Sequence, residues 1–182
     1  MLRKSLIVFG AVAAVAAASA APAAAQLGGR IGVEPFVGYG FFGELPNGQT
    51  LEADVAYGGR AFYQISPQFA AFGMYQRSTP ELTGPLGGGE IDVDHWSAGL
   101  EFSYVPRGGA EGMLPLLLEA GLGQARYEGG GDDLAVNLGI ASALRFSPNF
   151  SVRYGAYDYI SNFDDRGVVN QIFARVGAEL RF

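Results

Sequence analysis

Apolar and polar residues alternate at period two along most of the chain, the spacing of β-strands whose two faces meet different media. In the run 170–182, Ile172, Ala174, Val176, Ala178, Leu180 and Phe182 share one face, and Gln171, Phe173, Arg175, Gly177, Glu179 and Arg181 the other. The run 134–146 repeats the pattern, with Leu134, Val136, Leu138, Ile140, Leu144 and Phe146 opposite Ala135, Asn137, Gly139, Ala141, Ala143 and Arg145. The same reading predicts strands at 30–42, 50–65, 69–77, 91–104, 116–127 and 150–160. The total is eight.

Turn residues separate these runs. Pro46-Asn47-Gly48 lies in the loop 43–49, and loops are also expected at 78–90, 106–115, 129–133 and 161–167. One phrase occurs twice, as Ile65-Ser66-Pro67-Gln68-Phe69 and Phe146-Ser147-Pro148-Asn149-Phe150. Each copy is read as a hairpin with a three-residue loop that pairs its first and last apolar residues.

Strands of about ten residues are long enough to cross a bilayer when tilted. A sheet in hydrocarbon must close, because an open edge has no water to bond its backbone. The expected fold is therefore all-β: an eight-stranded antiparallel up-and-down transmembrane β-barrel. Alternating direction sorts the apolar-face aromatics into two belts, Tyr63, Phe69, Phe102, Tyr104, Phe146, Phe150 and Phe182 near the end carrying the termini, and Tyr39, Phe41, Tyr57, Tyr75 and Trp96 near the other.

Charge supports this assignment of faces. Glu34, Asp54, Glu101, Glu119 and Glu179, with Arg60, Arg145, Arg153, Arg175 and Arg181, fall on the face opposite the apolar one. They, with His95, are expected to form a polar network in the lumen, among Phe36, Phe62, Phe72, Met74 and Phe173 as filling. A soluble lipocalin-like barrel would reverse the faces, placing Trp96 and most large aromatics inside.

Residues 1–25 have a different layout, with Arg3 and Lys4, an apolar core, and small residues ending at Ala25. This is the form of a cleavable signal peptide, with cleavage expected between Ala25 and Gln26 and the barrel domain at 26–182. Removing Arg3 and Lys4 takes the formal charge from −6 to −8, which gives a nucleic-acid partner no electrostatic support. The absence of cysteine excludes a disulfide scaffold and thiolate catalysis. Glycine at 28 of 182 residues fits tight turns and crowded barrel interiors better than an enzyme core.

The final strand also carries the spacing polar, any, Gly, two of any kind, apolar, any, aromatic, filled by Arg175, Gly177, Leu180 and Phe182. This resembles the C-terminal assembly signal of bacterial outer-membrane β-barrel proteins. The whole chain after residue 25 is similar in size and topology to the transmembrane domain of OmpA and to OmpX. The resemblance implies a location in the outer membrane of a Gram-negative cell and insertion by the barrel-assembly machinery. Outer-membrane lipid and lipopolysaccharide are the expected surroundings, and the expected state is a monomer with no cofactor.

Three chemistries compete with a purely structural reading. His95, Ser97 and Glu101 share a strand face and include the residue types of a hydrolytic triad, the basis for a lipid A-modifying hydrolase. Opposed lumen charges could line a narrow pore or a transporter for small solutes or hydrophobic ligands, although eight strands leave an interior that side chains fill. The loop carboxylates Glu81, Glu90, Asp132, Asp133, Asp164 and Asp165 could share divalent cations with lipopolysaccharide, but read first as a solvated surface. The expectation is a small integral membrane barrel with a structural or surface-interaction role and no catalytic activity.

Overall fold

The computed structural model describes residues 30–46, 48–84, 88–105, 114–129, 131–163 and 167–182. The expected signal segment with its Ala25–Gln26 junction, Asn47, Asp164 and Asp165 lie outside the described residues. The strands are β1 (Ile31–Phe42), β2 (Thr50–Leu51), β3 (Asp54–Gln64), β4 (Phe69–Ser78), β5 (Glu81–Thr83), β6 (Gly89–Glu90), β7 (Val93–Tyr104), β8 (Leu116–Tyr127), β9 (Asp132–Ser147), β10 (Phe150–Phe163) and β11 (Gly167–Arg181).

The eight long strands close an antiparallel barrel in which each pairs with its neighbours in the chain, and β11 returns to β1. The closing register runs from Gly32 opposite Arg181 to Phe42 opposite Gln171. Its ladder lapses between Val33–Leu180 and Phe36–Gly177, where Pro35 has no N–H to give. Ile31 and Arg181 thus mark one end of the barrel, called here the terminal end; the other is the loop end.

Two expectations change. The run 50–65 is two elements: Thr50 and Leu51 leave the barrel and join β5 and β6, within the run expected as a loop, in a separate three-stranded sheet. The physical reason is a second apolar cluster at the loop end, where Leu45, Leu51, Val93, Ala125, Tyr127, Ala135 and Val169 are buried with Leu82 and Ile91 against them. Of the twin hairpins, the first is as expected, Ile65 N–H donating to the Phe69 carbonyl at 2.9 Å. In the second, Phe150 pairs with Ser147 and a bulge follows, so Phe146 meets Phe150 by ring contact, at 5.7 Å between centroids, rather than across the ladder.

The outward face is apolar and the inward face is not. Leu122, Leu134 and Phe146 are each more than 60% exposed, and Val37, Leu100, Leu118, Ile140, Ile172 and Val176 are exposed beside them. Arg60, Glu119, Arg153, Gln171 and His95 are buried. That inversion of the usual soluble arrangement is stable only where the surrounding medium is itself apolar, as in a bilayer.

Candidate functional site

Alternation delivers every second residue of each strand to the lumen, and the register decides which of them meet. Glu34 on β1 faces Arg60 on β3, and Glu101 on β7 lies directly opposite Glu119 on β8. Two carboxylates in cross-strand contact repel one another. They are held by guanidinium groups that cross the lumen: Arg153 places Nη1 2.6 Å from Glu101 and Nη2 2.7 Å from Glu119, while Arg60 places Nη2 2.5 Å from Glu101 and Nε 3.0 Å from Glu119. Arg60 also reaches Glu34 at 3.5 Å.

Arg175 completes the layer more loosely. Its Nη2 stands 3.9 Å from Glu119, and its guanidinium carbon lies 3.3 Å from the centre of the Tyr157 ring and 4.7 Å from that of Phe36. Three arginines thus meet three glutamates with formal charge balanced. Phe62 and Phe72 flank Arg60 at 5.1 and 4.9 Å, so aromatic rings wall this side of the ion pairs. Toward the terminal end Glu179 accepts from Ser151 Oγ at 3.1 Å and from Arg181 Nε at 2.6 Å, a separate pair.

Above the charged layer the lumen turns uncharged. Phe173 and Tyr159 lie against the His95 ring, with centroids 5.6 and 4.6 Å away. Asn137 donates to Ser97 Oγ at 3.2 Å, Gln171 donates to Tyr127 Oη at 2.5 Å, and Gln76 is fully buried nearby in the β4 position opposite His95. The apolar cluster under the small sheet then covers the loop end.

Nine of the eleven expected lumen residues face inward in two groups and a singleton: Glu34, Arg60, Glu101, Glu119, Arg153 and Arg175 together, Glu179 with Arg181, and His95 apart. Two do not join them. Asp54 sits at the loop-end start of β3, where it accepts from the Thr79 N–H at 2.9 Å. Arg145 is exposed near the terminal end of β9, beyond Ala141, the last β9 residue that pairs with β8. Of the assembly-signal positions, Arg175 and Gly177 turn inward, Gly177 lying against Glu34 and Phe36, while Leu180 and Phe182 occupy the other face at the terminal end.

No triad is assembled. Glu101 is engaged by two arginines, Ser97 by Asn137, and His95 makes no hydrogen bond to either. Among the described residues no three His, Asp or Glu side chains gather closely enough to hold a metal ion. Sequence reading passed over two features. Asp158 lies on the outward face of β10, an exception to the segregation of charge that its place opposite Leu138 and Ile172 makes plain. Arg77, Asp94, Arg126 and Asp132 form an unbroken outward row across β4, β7, β8 and β9 at the loop end.

No family model and no curated protein matches the chain. Among solved structures it is similar to Neisserial surface protein A, with a TM-score of 0.61 and 16% identity over 84% of this chain and 97% of that one. It is also similar to the N-terminal β-barrel domain of Pseudomonas aeruginosa OprF, with a TM-score of 0.56 and 13% identity over 85% of this chain and 98% of that one. At these identities the likeness is one of fold: a closed eight-stranded antiparallel barrel.

Proposed function

We propose that this chain is an integral outer-membrane barrel that acts as a sealed body, stabilising the envelope and presenting its loop end to partners outside the cell. The observation that carries this reading is the filled lumen: three arginines and three glutamates span its cross-section as interlocked ion pairs, and an apolar cluster closes the mouth above them. A lumen filled by side chains supports a sealed barrel over an aqueous channel. The fold shared with two small barrels, one of them named a surface protein, and the resemblance of the sequence to the OmpA transmembrane domain and OmpX support the compartment. So do the final-strand positions Arg175, Gly177, Leu180 and Phe182, read as the signal for the assembly machinery.

The test combines fractionation with electrical recording. The protein should be recovered with outer membranes, should migrate differently before and after boiling on a denaturing gel, and should give no discrete current steps in a planar bilayer. Current steps that change size in Glu101→Gln would overturn the sealed reading in favour of a narrow pore. Recovery in the soluble periplasm would overturn the membrane reading itself.

A further inference from the structure

The seam where the barrel closes is built differently from the rest of the wall. Seven of the eight ladders join long strands that follow one another in the chain, so a connecting segment keeps the two strands of each together. β1 and β11 are the first and last strands of the barrel, and only their pairing holds them. Bringing such distant segments together costs more chain entropy than closing a hairpin.

Backbone chemistry weakens this ladder again in its interior. Alternate residues of β1 bond to opposite sides: the Gln64 N–H donates to the Arg30 carbonyl at 2.7 Å on the β3 side, and the Phe182 N–H donates to the Ile31 carbonyl at 2.9 Å on the β11 side. Bonded pairs recur at every second residue of an antiparallel ladder, so Val33 and Pro35 also turn their backbone groups toward β11. The closing register places Pro35 opposite Ala178, where a bond from residue 35 to the Ala178 carbonyl has no donor. The β1–β11 ladder skips both Glu34–Glu179 and Pro35–Ala178, and among the described residues the other seven ladders run without such a gap. In hydrocarbon no water replaces the lost bond.

Side chains do little to close the gap. On the inner face the skipped position sets Glu34 against Glu179, two like charges across the seam. Each finds a cation on its own side, Glu179 in Arg181 of the same strand at 2.6 Å and Glu34 in Arg60 of β3 at 3.5 Å. The contacts that cross the seam are looser: Arg153 Nε stands 3.8 Å from Glu34, and the Arg175 guanidinium carbon 4.7 Å from the centre of the Phe36 ring. On the outer face a hollow of about 380 Å³ lies over the same place, lined by Pro35, Val37, Val152, Val176 and Ala178 among others.

We infer that the closing seam is a built-in opening point, where β11 parts from β1 around Pro35 while it stays paired with β10. Opening there frees a strand edge within the membrane without unfolding the barrel. The inference rests on the membrane reading above, because the missing bond weakens the seam most where water is excluded.

Strand β11 carries its own control. The Arg181 N–H donates to the Asn149 carbonyl at 3.0 Å, so the amides of Gly177 and Glu179 point to β10, whereas those of Val176, Ala178 and Leu180 point to β1. The protein is refolded into phosphatidylcholine nanodiscs and its amide hydrogen exchange is followed by NMR, each rate being divided by that of an unstructured peptide of the same sequence. The Val176, Ala178 and Leu180 amides should exchange about tenfold faster than those of Gly177 and Glu179. Pro35→Val restores the donor and should slow the seam amides by roughly three- to tenfold, the worth of one hydrogen bond, while leaving Gly177 and Glu179 unchanged. Pro35→Ala takes its place if that variant fails to fold. Equal exchange on the two sides of β11 in the unsubstituted protein overturns the inference, as does a folded Pro35 variant whose seam amides exchange as fast as before. Failure of the unsubstituted protein to insert, seen as no heat-modifiable band, instead removes the membrane reading on which the inference rests.

Discussion

Gly73 and Gly123 belong to opposite faces of the same wall, two strands apart, and show how differently the faces are constrained. Around Gly123 the backbone of β7 is so near that a methyl group has no room; around Gly73 there is open space. Inside, each residue is chosen by its neighbours across the lumen. Outside, it is chosen by the medium, with depth along the strand as the main variable. The inner face therefore fails when a partner is removed, and the outer face fails when charge is placed at the wrong height.

The largest effect should come from breaking the inner network. Arg153→Met leaves Glu101 and Glu119 opposite one another with half their compensation gone, and should cost about 3–5 kcal/mol. Urea unfolding of the refolded barrel measures it, and a loss below about 1 kcal/mol would show that the lumen is too hydrated for the pairs to matter. On the outer face, Ile140→Arg at the middle of β9 should cost roughly 2–4 kcal/mol, whereas Leu134→Arg near the loop end should cost about 0–1 kcal/mol. Equal costs would mean that the bilayer does not sit where the apolar face places it.

The two glycines give a smaller and more direct contrast. Gly123→Ala should destabilise by about 1–3 kcal/mol through overpacking. Gly73→Ala should leave stability unchanged or raise it by about 0.4–1 kcal/mol, since it meets no atom and restricts the unfolded chain. If both lose the same stability, the faces do not differ in the way the packing indicates. Near the bottom of the scale is Gln76→Leu. Among the described residues its buried amide has no hydrogen-bond partner, so an apolar replacement of similar size should change stability by no more than about 1 kcal/mol.

Phe182→Ser should have the least effect on thermodynamic stability in detergent, because the residue flanks the end of β11 and is only partly buried. If the final strand is read by an assembly machinery, the same substitution should sharply lower the yield of folded protein in cells. Parallel measurement of refolding yield and cellular yield separates packing from signalling, and equal losses would leave only packing.

Much of the barrel was legible in the chain because the period of two is imposed locally. Strand β8 is read at 116–127 and found at Leu116–Tyr127, and the inward set Glu34, Arg60, Glu101, Glu119, Arg153 and Arg175 follows from parity alone. Parity also misled in identifiable places. Asp54 and Arg145 have the inward parity of their strands, but they stand near strand ends, where Asp54 turns to the Thr79 N–H and Arg145 is exposed, so parity no longer implies a place in the network. The run 78–90, rich in glycine and proline, hid Leu82 and two short strands that need Leu51 from a distant segment to complete their sheet.

The sequence by itself determined the number of long strands, the face each residue takes and the balance of charge on the inner face, because alternation along a strand is a property of neighbouring residues. Tertiary structure alone decided that Glu101 and Glu119 are neighbours bridged by Arg60 and Arg153, that His95 and Ser97 go separate ways, and that Gly59, Gly73 and Ala98 align into one groove. The reason is register: a strand's pattern says which side a residue faces, while closure of the sheet says which residue of another strand it meets.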